Sequence, residues 1–143
     1  CLDLGCGYGV LGIVSKRLWP GQSWTFSDVN ERALALTERN AHSNGIFHPV
    51  IVRSHGWDEL SGAYDVIVTN PPIRIGKEQV YDMFRGSAAH LLPGGILYVV
   101  IGKKQGAESA GRFLASLFAD VKLLGKDKGF FVYACQEPQE SAE

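Results

Sequence analysis

The 143-residue sequence is 45% hydrophobic and 20% charged, with 14 lysines and arginines against 15 aspartates and glutamates. That length suits one domain with its own core, and the composition excludes a disordered, collagenous or coiled-coil chain. No apolar run reaches the roughly 18 residues of a membrane span.

Cys1-Leu2-Asp3-Leu4 is the end of a strand that stops at glycine, so the chain is expected to begin inside a domain. Val10 to Trp19 predicts a helix with Val10, Leu11, Val14 and Leu18 inward, closed by Pro20-Gly21. Trp24 to Asp28 predicts a second strand. Asn30 is a good N-cap for a helix ending at Asn44-Gly45. Val50-Ile51-Val52 predicts a third strand and Tyr64 to Val68 a fourth, apolar enough for a parallel sheet covered on both faces. A helix is expected over Glu78 to Leu92, stopped by Pro93-Gly94-Gly95, then a fifth strand over Ile96 to Ile101. Ala107 to Phe118 predicts a helix with Ala110, Phe113 and Leu114 inward. Val121 to Leu124 and Phe130 to Ala134 predict a final hairpin across Gly125 to Gly129.

The alternation predicts an α/β, Rossmann-like open sheet of seven strands, mostly parallel with the last antiparallel, and helices on both faces. Residues 1–136 are expected to form one domain, and the acidic 137–143 a disordered tail. Cys1, Cys6 and Cys135 show no zinc spacing, so no metal site is expected. No leader and no glycosylation sequon are visible, which suits a cytoplasmic protein.

Asp3-Leu4-Gly5-Cys6-Gly7-Tyr8-Gly9 joins the first strand to the first helix. Glycines let backbone approach a ligand closely, and a helix N-terminus offers free N–H groups. Asp28 ends the second strand about twenty residues on, where a carboxylate can accept hydrogen bonds from ribose hydroxyls. Gly7, Gly9 and Gly12 also match the dinucleotide fingerprint, which alone is weak. A nicotinamide dinucleotide would aim a pyrophosphate at the helix. S-adenosylmethionine carries a sulfonium cation instead, and Asp3, just before the glycines, favours that ligand.

Thr69-Asn70-Pro71-Pro72-Ile73 follows the fourth strand. Two prolines stiffen the loop, hold Asn70 extended and leave the Asn70 amide oxygen and Pro71 carbonyl free as acceptors. Such a pair can grip both N–H bonds of an exocyclic amine, which suits methyl transfer to nitrogen. Charge is uneven along the chain: residues 74–128 carry 9 basic against 5 acidic side chains, and residues 1–73 carry 5 against 7. Arg74, Lys77, Lys103, Lys104, Lys126 and Lys128 all fall where strands reach the edge of the glycine turn. They predict a basic rim for an RNA backbone.

Together these motifs resemble the class I S-adenosylmethionine-dependent methyltransferases. More narrowly, Asn70-Pro-Pro-Ile-Arg-Ile-Gly-Lys77, the run Val99 to Ala107 and Lys126-Asp-Lys-Gly129 resemble the "methyltransferase small" family of ribosomal RNA guanine-N2 methyltransferases. The resemblance implies S-adenosyl-L-methionine as cofactor, with ribosomal RNA or the small ribosomal subunit as partner. It implies catalytic roles for Asn70, Pro71, Pro72 and Ile73. It implies cofactor contacts at Asp3, Gly5, Cys6, Gly7, Gly9, Asp28, Val29 and Asn70, with His55 and Trp57 where the family binds adenine. Ile73 stands where many amino-methyltransferases have a stacking Tyr or Phe. The family also has a segment before its first motif, which this chain is expected to lack. The alternatives are a protein glutamine or small-amine methyltransferase, and a non-catalytic nucleotide- or RNA-binding fragment.

Overall fold

A computed structural model describes residues 1–139, apart from the Ile73 side chain. The seven strands are β1 (Leu2–Leu4), β2 (Thr25–Asp28), β3 (Val50–Arg53), β4 (Tyr64–Thr69), β5 (Leu91–Gly102), β6 (Phe118–Asp127) and β7 (Phe130–Pro138). The helices are α1 (Val10–Leu18), α2 (Glu31–Ser43), α3 (Lys77–Ala89) and α4 (Ala107–Leu117), with short 3-10 turns at Ile73–Ile75 and Lys103–Gln105. The sheet order is β3-β2-β1-β4-β5-β7-β6. Strands β1 to β5 pair in parallel, and β7 inserts antiparallel to both β5 and β6.

Alternate residues of the central strands feed two cores. Leu4, Ile67, Leu97, Val99 and Ile101 pack with Phe84 of α3 and Leu114 of α4. Phe26 and Val68 pack on the opposite face with Ile13 of α1 and with Leu34 and Ala41 of α2. The chain lays β1, β2 and β3 outward in one direction, then returns to put β4 on the other flank of β1. Loops leaving β1 and β4 therefore diverge above one crevice, the usual ligand position in an open parallel sheet.

Three features differ from the sequence pattern. Helix α1 buries Gly12 and Ile13, while Val10, Val14 and Leu18 are 59%, 51% and 63% exposed. The inner face is marked by a glycine: a Cβ at Gly12 would lie 2.4 Å from Phe26 Cε1, so α1 sits almost on β2 there. Second, α3 ends at Ala89, and Pro93-Gly94-Gly95 belongs to an irregular start of β5. Between the pairs Tyr64↔Leu91 and Val66↔Ile96, four residues of β5 oppose one of β4. Third, the hairpin turn is only Lys128-Gly129, both at positive φ, so β6 and β7 are longer than expected. Strand β7 runs through Pro138, and Gln139 N–H donates to Leu117 O at 2.8 Å. The expected tail boundary at 137 thus falls inside β7, and residues 140–143 lie outside the described residues.

Candidate active site

The turn from β1 to α1 is held at both ends by carboxylates. Asp3 is buried, and its Oδ2 accepts the Gly12 N–H at 2.9 Å. Gly12 lies in the first turn of α1, whose N-cap Gly9 offers no side-chain cap. Asp3 therefore satisfies one of the helix's free N–H groups from the preceding strand and sits at the positive end of its dipole. Burial pushes the Asp3 carboxyl up to about 7; the Gly12 N–H lowers it in part, and the Asp28 charge raises it further.

Asp28 Oδ2 accepts the Gly7 N–H at 2.9 Å, and its Oδ1 accepts the Asn30 N–H at 2.9 Å. One carboxylate thus spans the glycine turn and the start of α2, and each oxygen keeps a further lone pair. Asn30 caps α2 by accepting from Arg32 and Ala33. Gly7 has φ +56, and a Cβ there would meet nothing within 4 Å. The space beside its Cα is open, but the residue is half-buried and its backbone is engaged: the N–H donates to Asp28 and the carbonyl accepts the Thr37 hydroxyl at 2.8 Å, in a conformation that L side chains rarely adopt.

A cavity of about 350 Å³ lies beside this turn. Gly5, Asp28, Val29, His55, Trp57 and Pro72 line it. It falls within the size range of small-molecule sites. Arg53 fixes Val29 by donating from Nε to Val29 O at 3.2 Å while pairing with Glu31 at 2.8 Å. Ser54 organises the loop after β3. Its N–H donates to Asp28 O, its hydroxyl donates to Gly56 O, and the Glu59 N–H donates to its hydroxyl. His55 and Asp58 both face the cavity, with Nδ1 and Oδ2 3.4 Å apart and both side chains exposed. Trp57 is a wall built into the core: its indole N–H donates to Met83 O at 3.1 Å, and its ring stacks on His90. Helix α3 adds Gln79, Asp82 and Met83 to the lining. Its apolar spacing marks only the side packed on the core, where Met83 also lies, so the exposed Gln79 and the polar Asp82 were not legible as site residues.

Cys6 stands apart. Its N–H donates to Ser27 O, and its Sγ lies 3.5 Å from Thr37 Oγ1, on the α2 side of the turn. Burial pushes this thiol up to about 12, so it is an inert packing group. Gly9 likewise faces Thr37, which its Cβ would meet at 2.8 Å.

Asn70 follows β4 at the same edge and is exposed. The end of β4 is fixed to β1 by the Thr69 hydroxyl, which donates to Leu4 O at 2.8 Å. Pro71 is buried, and Pro72 lines the cavity. Pro72 O accepts the Ile75 N–H and closes the 3-10 turn that begins at Ile73, whose side chain lies outside the described residues. Arg74, Lys77, Lys103, Lys104, Lys126 and Lys128 are all exposed. Lys103 N–H donates to Gly129 O at 2.7 Å, which joins the loop after β5 to the hairpin tip. Among the described residues none of the six forms an ion pair. Also among the described residues, no cluster of three or more His, Cys, Asp or Glu is placed to hold a metal ion, and no helix is long and apolar enough to cross a membrane.

A glycine turn bridged by a carboxylate at the switch point of an open, mostly parallel sheet defines a Rossmann-like α/β domain with a ligand crevice at that edge. The chain belongs to the methyltransferase small domain family, which matches residues 1–134. It is 42% identical over 133 residues to the uncharacterized protein YbxB of Bacillus subtilis, covering 92% of this chain and 66% of that protein. It is 37% identical over 103 residues to ribosomal RNA small subunit methyltransferase C of Serratia proteamaculans, covering 69% of this chain and 29% of that protein. Among solved structures, the T. thermophilus 16S rRNA N2 methyltransferase in complex with AdoMet and guanosine superposes with TM-score 0.79 at 22% identity, covering 99% of this chain and 36% of that one. The chain thus spans from under a third to just under two thirds of the length of these proteins.

Proposed function

We propose that this chain is the catalytic domain of an S-adenosylmethionine-dependent methyltransferase acting on the exocyclic N2 amine of a guanine in ribosomal RNA, as free RNA or within the small subunit. The observation that carries it is the cavity lined by Gly5 of the glycine turn, Asp28 and Val29 after β2, and Pro72, with Asn70 exposed two residues before Pro72. The donor set fits the cofactor. Asp28 has lone pairs left for ribose hydroxyls, and Val29 and His55 line the cavity as flanks for an adenine; Asp3, buried behind the turn and outside the cavity lining, can act on a cation only at a distance and only when ionised. When bound, the cofactor supplies an electrophilic methyl group on a sulfonium.

The chain's own part is orientation. The Asn70 amide oxygen and Pro71 carbonyl accept the two N–H bonds of the amine and turn the nitrogen's electron density toward the methyl. Positioning of this kind is worth up to about 7–11 kcal/mol. Asn70 takes no proton, because the methylated cation is acidic enough to lose one to water. The RNA assignment is supported by the six exposed cations at the same edge and by the named activity of the Serratia relative.

Asn70→Ala tests the reading. Cofactor affinity by calorimetry is expected to stay within about twofold, while methyl transfer to RNA from a strain lacking the gene falls at least about 100-fold. Equal transfer by the variant would remove Asn70 from the site. Label appearing in protein and not in RNA would move the substrate to a glutamine amide.

A further inference from the structure

A second cavity, about 150 Å³, opens between the N-terminal turns of α3 and α4. Buried Val80, Ile101 and Ala110 form its apolar floor. Lys77, Tyr81, Gln105 and Ser109 stand around that floor. The Lys77 ammonium lies 5.5 Å from the Tyr81 ring centroid, and the same ring stacks on Phe113 with centroids 4.0 Å apart. The Tyr81 hydroxyl and Gln105 amide form no hydrogen bond to other described residues. An apolar floor with a few convergent polar groups is the usual make-up of a ligand site. At under half the volume of the cavity beside the glycine turn, it suits a single ring system and not a whole cofactor.

Helix α3 stands between the two cavities. Gln79, Asp82 and Met83 face the larger, and Lys77, Val80 and Tyr81 face the smaller. A helix with its side chains is about 10–12 Å across, so a base presented to the methyl group cannot also fill the second cavity. A neighbouring nucleotide of the same strand can. We propose that the cleft between α3 and α4 is a second nucleotide subsite, holding the unpaired base of a nucleotide next to the one that is methylated. This rests on the RNA reading above and names a part of the substrate that reading leaves open.

Two observations select RNA as the occupant. Lys103 and Lys104 immediately precede Gln105 on the loop that borders the cleft; both are exposed and form no ion pair among the described residues, so a phosphate chain can pass across its mouth. The walls also combine an aromatic ring with groups that both donate and accept, Gln105 and Tyr81. Unstacked RNA bases are read by that combination of ring contact and hydrogen bonds to their edges.

The test uses the full chain with S-adenosylhomocysteine and a short single-stranded RNA carrying one guanine, compared with versions in which a flanking nucleotide is abasic. Removing the base that enters the cleft is expected to weaken binding about tenfold. Ser109→Trp, which fills the cavity, should weaken the intact RNA by a similar factor and bind intact and abasic RNA equally. Its melting temperature and S-adenosylhomocysteine affinity should match the unmodified protein. Gln105→Ala, which inserts no bulk, should show a smaller loss of the same kind. If the unmodified protein binds abasic and intact RNA equally and still methylates guanine, the subsite is overturned and the activity stands. If it binds and methylates no RNA, the subsite falls together with the RNA reading.

Discussion

At the residue scale, Asp3 combines a structural role with a cost. It holds the start of α1 through the Gly12 N–H, yet it is a buried acid whose carboxyl is pushed up to about 7. The sign follows from proton counting. Between the ordinary carboxylate range near 4 and about 7, the folded chain keeps a proton that the unfolded chain has released. The stability Asp3 contributes is therefore complete below that window and is lost as pH rises through it, by at most about 4 kcal/mol. Asp3→Asn keeps an oxygen for Gly12 and removes the titration. Its melting temperature is expected to exceed that of the unmodified protein at pH 8, with a flatter profile between pH 5 and 8. Thermal unfolding across that range checks this, and parallel profiles would mean that Asp3 does not titrate there. The same substitution should weaken cofactor binding if the carboxylate balances a sulfonium. That Asp3, Asp28 and the glycines gather at one turn was legible because the spacing of strand, glycines and helix fixes where each stands; the bonds their carboxylates make to Gly12, Gly7 and Asn30 were not. Nor were the directions of Cys6 and Ser54: whether a turn side chain faces a cavity or an adjacent helix depends on α2 and β3, far away in the chain.

At the element scale, α1 shows how an apolar stripe can mislead. Val10, Val14 and Leu18 recur at helical spacing, but the face against the sheet is the one carrying Gly12, where close approach to Phe26 leaves no room for a side chain. Hydrophobic periodicity counts side chains, so a contact made by a missing one is invisible to it. The consequence is measurable. Gly12→Ala must push α1 off β2 and should cost about 1–3 kcal/mol, as overpacking does. Val14→Lys, on the nominally apolar face, should change stability by less than about 0.5 kcal/mol. Chemical denaturation of the two variants decides between the faces: a larger loss at Val14 would reverse the orientation of α1. The start of β5 carries the same lesson, since Pro93-Gly94-Gly95 is a stop signal locally and a bulge once β4 lies beside it.

At the scale of the whole molecule, strand order turns scattered sequence positions into one charged edge. Strands alternating with helices, joined by right-handed crossovers, bring the carboxyl ends of β1, β2, β4 and β5 to one side; that much was legible from the pattern. The contact between Lys103 and Gly129 is a tertiary addition, made possible because β7 returns beside β5. It places the loop with Lys103 and Lys104 against the turn with Lys128, in a chain whose summed charge is only −1. If this edge carries an RNA backbone, its lysines displace counterions on binding, and affinity should fall steeply with salt. Charge reversal at Lys103 and Lys104 together is expected to flatten the slope of log affinity against log salt by about 1.4, near 0.7 per lost phosphate contact on single-stranded RNA. Cofactor affinity should be unchanged, because the bond to Gly129 uses the Lys103 backbone and neither side chain lines the larger cavity. Filter binding of RNA across a salt series measures the slope. A weaker affinity with the slope unaltered would mean that these lysines act through loop structure and not through phosphate, and would move the RNA path off this edge.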